Sequence, residues 1–189
     1  MTTMNTEERN QYVQEMESAK TKYYEEHSKN RFFKNSQKLD CATNISQQMD
    51  IQKMIQCTVF QIPNTNILYY NYLVFKTYAN DQVTPILYQY VVALVDKVLK
   101  EYSSFEFHVN LKSFTISAAQ RYYNIICSVF DENTSFTGQM TKLVIYHTPS
   151  VISNIRQLLY NSIKDIVDKV EYCYKDSDAK IAKLFDISS

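Results

Sequence analysis

Hydrophobic and polar positions change period at one junction in this chain. Across 105–111, FEFHVNL, Phe105, Phe107, Val109 and Leu111 alternate with Glu106, His108 and Asn110, the two-residue period of a strand. Past Ser117 the period lengthens. Tyr122, Tyr123, Ile125, Ile126, Val129 and Phe130 recur at helical spacing, and Ser117 with Gln120 three residues on predicts a capping box at the helix start.

Such alternation fills most of the chain. Residues 54–76 predict two strands, over 58–62 and 67–76, joined by the turn Pro63-Asn64-Thr65-Asn66. A helix is predicted over 84–102, with Thr84 as cap, Pro85 at its first position and an apolar face of Leu87, Tyr90, Val91, Leu94, Val95 and Val98. KLVIY, 142–146, is short and apolar enough for a buried strand. A long helix should start at Pro149, its stripe running Val151, Ile152, Ile155, Leu158, Leu159, Ser162, Ile163, Ile166, Val167. A strand over 169–174 and a short helix over 179–185 close the pattern.

Residues 1–53 differ: they are polar, charged and without strand pattern. Thr6 is expected to cap a helix with Glu7 and Glu8 in its first turn and a narrow stripe of Tyr12, Met16, Ala19 and Tyr23. One or two short helices are expected around Phe32, Phe33 and Ile45. Strands alternating with helices imply crossover units, so the expected fold class is α/β: a mostly parallel sheet flanked by helices over 54–189, preceded by a helical segment over 1–53.

Composition narrows the function classes. With 189 residues and 45% hydrophobic content the chain can bury one substantial core. Twenty basic residues balance twenty acidic ones, and the strands lack interleaved basic and aromatic residues, so no nucleic-acid partner is expected. Gly138 is the only glycine, which excludes the glycine-rich loops that cradle nucleotide phosphates. No run approaches the ~18 apolar residues of a membrane span, and the first residues lack the apolar core of a signal peptide, so a cytoplasmic protein is expected.

The four cysteines, Cys41, Cys57, Cys127 and Cys173, form no CxxC pair and are expected as reduced thiols, mostly buried. His27, His108 and His147 lack a partner at metal-ligand spacing and are expected as sheet histidines bonded to backbone. No nucleophile–base arrangement is visible, Cys127 included. The expectation is a protein without catalytic residues, metal or cofactor.

Two stretches resemble a known family. NLKSFTISAA, 110–119, is similar to the DLKG-x-S-I-S-x-A signature of the CRAL-TRIO domain, a lipid-binding family. FTGQMTKLVIYHTP, 136–149, aligns without a gap on that family's YPERMxKxxIINAP through Met140, Lys142, Ile145 and Pro149. Lys169-Val170 stands where the family has a Lys-Ile pair opening its last main strand. Asn110, Ser113 and Gly138 replace the family's aspartate, glycine and glutamate, and Tyr160-Asn161 stands where many members carry Lys-Pro.

The resemblance implies a sheet floor and helical walls around an apolar cavity, with the helix 151–168 as a lid. It implies a ligand that is a phospholipid, phosphatidylinositol among them, or another hydrophobic molecule, and transient contact with membranes as a peripheral protein. Lys169 would meet a phosphoinositide phosphate, and Thr115, Ser117, Tyr122, Ile152, Ile155 and Leu159 would lie at the pocket. The alternative is a protein-interaction scaffold of the same fold that binds a small GTPase or other protein partner, its floor filled by Tyr69, Tyr72, Tyr122 and Phe130.

Overall fold

A computed structural model describes residues 4–27, 34–131 and 134–186. A reciprocal cap opens the first helix, one residue earlier than expected. Asn5 Oδ1 accepts the Glu8 backbone N–H at 2.9 Å and the Glu8 carboxylate accepts the Asn5 N–H at 3.0 Å, opening α1, Thr6–Glu26. Asn5 wins over Thr6 because it lies three residues before a glutamate, as a capping box requires. Of the expected stripe, Met16 and Tyr23 are buried, and Tyr12 and Ala19 pack at its margin.

The next segment is one helix, α2, Lys34–Gln48, burying Cys41, Ala42 and Ile45; Phe32 and Phe33 fall outside the described residues. Asp50 caps α3, Ile51–Thr58, by accepting the backbone N–H groups of Gln52 and Lys53. This helix runs across the expected boundary at 53/54, and Met16 and Ile45 share one core with Met54. Thr58, expected in a strand, instead ends α3, and its Oγ1 lies 2.6 Å from the Tyr78 hydroxyl.

β1, Val59–Gln61, pairs antiparallel with β2, Ile67–Asn71, across the predicted turn, in which Asn64 takes a left-handed φ of 59°. β2 stops five residues short of expectation. Asn71 Oδ1 accepts the Leu73 N–H at 3.1 Å and turns the chain into α4, Tyr72–Phe75, a local side-chain bond displacing the sheet ladder. α5, Thr84–Glu101, buries all six predicted apolar positions. Thr84 lies inside it and does not cap: Asn80 Oδ1 accepts the N–H groups of Gln82 and Val83 just before it.

β3, Phe105–Asn110, leads to α6, Ile116–Arg121, and α7, Tyr123–Asp131. The cap of α6 is Thr115, whose Oγ1 accepts the Ala118 N–H at 3.2 Å. Ser117 therefore sits exposed in the first turn, not at the cap. α8, Thr134–Gln139, precedes β4, Met140–Tyr146. α9, Ile152–Leu158, α10, Tyr160–Ile163, and a 3₁₀ segment, Lys164–Lys169, follow in place of one long helix. β5, Val170–Tyr172, and α11, Ser177–Asp186, complete the described chain.

The fold class is the expected one, α/β with a mostly parallel sheet flanked by helices and an N-terminal helical segment. Among the described residues five strands form one sheet in chain order, β2 to β5 parallel and β1 antiparallel at the edge. Consecutive parallel strands joined by crossovers of one hand place every crossover on the same face. α5, α6 to α8, and α9 with the 3₁₀ segment therefore stack on one side. The other side receives α11, whose Leu184 packs on Phe60, Ile62 and Tyr69. Among the described residues, no helix is long and apolar enough to cross a membrane.

Candidate functional site

Between the sheet and the stacked crossovers lies a cavity of about 170 Å³. Its floor is the inward face of four parallel strands: Tyr70 of β2, Phe107 and Val109 of β3, Leu143 and Ile145 of β4, and Val170 and Tyr172 of β5. Phe107, Val109 and Ile145 are only half-buried although they face inward, because they front empty space. On β3, the polar His108 and Asn110 are by contrast buried.

The walls and roof come from α5, α7, α9 and the 3₁₀ segment, through Leu87, Ile126, Ile152, Leu159 and Ile166 among others. The expected helix from Pro149 breaks at Leu159 and Ile163, where ψ rises from helical values to 4° and 1°. Asn161, Ser162, Asp165 and Asp168 favour local side-chain bonding over helix. The break turns Ile155, Leu159 and Ile166 inward and leaves Leu158 39% exposed. Ser162 Oγ, 3.1 Å from Cys127 Sγ, ties this roof to α7.

The cavity is smaller than the roughly 300 to 1,000 Å³ typical of ligand pockets, because aromatic rings occupy one end of it. Tyr72 meets Phe114 edge-on with centroids 4.8 Å apart, and Phe75 meets Tyr122 at 5.0 Å. Of the residues expected to fill the floor, Tyr72 and Tyr122 line the cavity and Tyr69 lies on the opposite face against Phe60. The side chain of Phe130 is outside the described residues.

Four of the expected site residues come together here: Tyr122, Ile152, Ile155 and Leu159 all line the cavity. Three do not. Thr115 is engaged as a helix cap, Ser117 is exposed, and Lys169 Nζ donates to the Thr137 carbonyl at 2.7 Å, fastening the end of the roof to α8. Arg156 of α9 was not anticipated. It lies four residues past Ile152, on the flank of the same stripe, which is the signal that places it at the rim.

The chemistry of the cavity is close to uniform. Burial pushes the Tyr70 hydroxyl well above its ordinary value, and burial together with neighbouring Tyr122 pushes Tyr72 up to about 12. These phenols stay protonated at neutral pH. Arg156 is the one charged residue lining the space among the described residues.

The opposite face of the sheet is polar and internally matched. His108 Nε2 lies 2.9 Å from Glu106 Oε2, and its Nδ1 lies 2.8 Å from the Tyr146 hydroxyl. A carboxylate only accepts, so Nε2 carries the proton and Nδ1 accepts from Tyr146. Burial lowers the His108 pKa despite the opposing pull of Glu106. Asn110 Nδ2 donates to the Tyr69 hydroxyl at 3.2 Å, and Lys142 pairs with Glu171. His108 thus bonds to side chains and not to backbone; His147, in the turn after β4, pairs with Asp178, and His27 lies 2.9 Å from the Tyr23 carbonyl. All four cysteines are free, and among the described residues no cluster of metal-ligating side chains occurs.

Comparison with protein-family models and with curated proteins finds no match to this chain.

Proposed function

We propose that this protein binds a hydrophobic small molecule, a lipid chain being the best fit, between its sheet and the α9 roof, and acts as a carrier or sensor without catalysing a reaction on it. The observation that carries this is the void itself: an apolar space between sheet and helices, where interiors ordinarily tolerate few gaps larger than a water. A cavity of ~150 Å³ lined by aliphatic and aromatic side chains stays dry and takes up a benzene-sized guest, so about six carbons of a chain match this one. A whole phospholipid would need the roof to move outward; the end of one acyl chain would not.

Two features support a relation to the CRAL-TRIO domain. The crossovers stack over an apolar sheet floor as that resemblance implies. Ser113, standing where the signature has glycine, adopts φ 64°, a conformation that glycine takes at no steric cost. Tyrosines held protonated, with no base among the described residues that line the cavity, favour binding over chemistry. The scaffold alternative would require a filled floor, and the void argues against it. Membrane contact would be peripheral and transient, during loading.

The test is titration with the neutral fluorophore N-phenyl-1-naphthylamine. One saturable site is expected, and Val109→Phe, which fills the void from the floor, should abolish it while leaving the circular dichroism spectrum unchanged. Equal binding by the filled variant would refute the assignment of the cavity.

A further inference from the structure

A second space opens beside the cavity. It is a groove of about 440 Å³ lined by Ile152, Arg156, Gln157, Tyr160, Tyr172 and Tyr174, and it shares Ile152, Arg156 and Tyr172 with the cavity. The apolar interior and the surface groove therefore meet at the Arg156 side chain. Tyr160 and Tyr174 are 55% and 62% exposed, and the Tyr172 and Tyr174 rings lie 6.3 Å apart.

The groove is chemically one-sided. Arg156 forms no ion pair among the described residues, and no carboxylate lines either space. The Tyr160, Tyr172 and Tyr174 hydroxyls have no hydrogen-bond partner among the described residues and can donate outward. An unpaired guanidinium with five N–H donors, beside three phenols, is complementary to an oxyanion, which it can hold through two parallel bonds. Large exposed aromatic rings suit the apolar stem that joins such a head to the buried tail.

Given that the cavity holds a hydrophobic chain, as proposed above, we infer that the ligand is a single-chain amphiphile with an anionic head, its tail end in the cavity and its carboxylate or phosphate on Arg156 in the groove. The cavity holds about six carbons, so a medium-length chain must leave it through the shared mouth. The Arg156 guanidinium is the charged group it meets there.

The experiment compares dodecanoate, dodecyl phosphate, dodecan-1-ol and dodecyltrimethylammonium below their micellar concentrations, by displacement of N-phenyl-1-naphthylamine. A charge-assisted contact predicts that the anions bind about tenfold or more tighter than the alcohol, and the cation more weakly than either. The better of the two anions identifies the head as carboxylate or phosphate. Arg156→Gln should remove the anion preference and leave the alcohol's affinity in place, and Arg156→Lys should restore part of it. Alcohol binding equal to the anions, or an equal loss for alcohol and anions in Arg156→Gln, would overturn the head-group assignment while the cavity stands. Failure of all four to displace the fluorophore would overturn the cavity as well. Arg156 is exposed on α9, so the fold does not depend on it.

Discussion

Replacing His108 by glutamine should flatten the acid side of the stability profile. His108 is 6% exposed, and its Nδ1 accepts from Tyr146 while its Nε2–H donates to Glu106. Protonation puts a hydrogen on Nδ1, breaks the bond from the Tyr146 hydroxyl and places a charge where burial penalises it. Glu106 and Glu171 offset part of that penalty and Lys142 adds to it. The folded pKa lies below the ordinary 6.5, so between the two values the unfolded chain binds more protons than the folded one. Stability is then full above 6.5 and declines as pH falls through that value towards the folded pKa.

One proton can contribute no more than ~1.4 kcal/mol per pH unit. With a urea slope of about 2 kcal/mol per molar, the midpoint falls by up to ~0.7 M per unit. Urea unfolding followed by circular dichroism at pH 7.5, 6.5 and 5.5 measures this. Glu171, whose pKa is lowered by its pairing with Lys142, loses its stabilisation only as pH drops below the ordinary carboxylate value of 4.5, outside the window. If wild type and His108→Gln show the same dependence between pH 7.5 and 5.5, the assignment of His108 as a buried neutral acceptor is wrong.

Other consequences are open to measurement. Lys169→Met removes the bond to the Thr137 carbonyl and should lower stability by about 1 kcal/mol in the same urea assay while leaving fluorophore binding intact. Arg9 lies 3.5 Å over the Phe60 ring and donates to the carbonyls of Met4 and Gln56, so Arg9→Met should cost about 2 kcal/mol and raise amide exchange along α1.

Much of the architecture was readable in the chain because its long segments carry one unambiguous period. β3, α5 and β4 follow this rule, and their inward residues are those that frame the cavity. The errors cluster where a short polar side chain competes with a periodic pattern. Asn71 ended β2 early, and Asn5 and Thr115 displaced Thr6 and Ser117 as caps. Such competition depends on one hydrogen bond of about 1 kcal/mol, below what apolar spacing resolves.

The candidate site was legible to the same degree. Ile152, Ile155, Leu159 and Tyr122 were identifiable because a stripe facing a void looks like one facing a core. The void itself was not, since no pattern of residue types records missing volume. Lys169 was not legible in this way, because a strand-end lysine can reach a ligand or a neighbouring carbonyl from the same position, and here it reaches the Thr137 carbonyl.

The chain-order arrangement of the strands bears on how the molecule is made. Each strand from β2 to β5 pairs with the one synthesised just before it, so the sheet can lengthen by one βα unit at a time without waiting for a distant partner. Each of these pairings still closes a loop, from 27 residues between Leu143 and Val170 to 39 between Ile67 and Glu106, but less loop-closure entropy is lost than in an order that pairs strands further apart in the chain. β4 emerges before its roof, and until α9 and the 3₁₀ segment have docked, the apolar floor of β3 and β4 is only partly covered. The nascent chain is therefore most prone to aggregate after β4 has emerged and before α9 docks, and a hydrophobic molecule supplied at that stage would shield the floor while the fold closes around it.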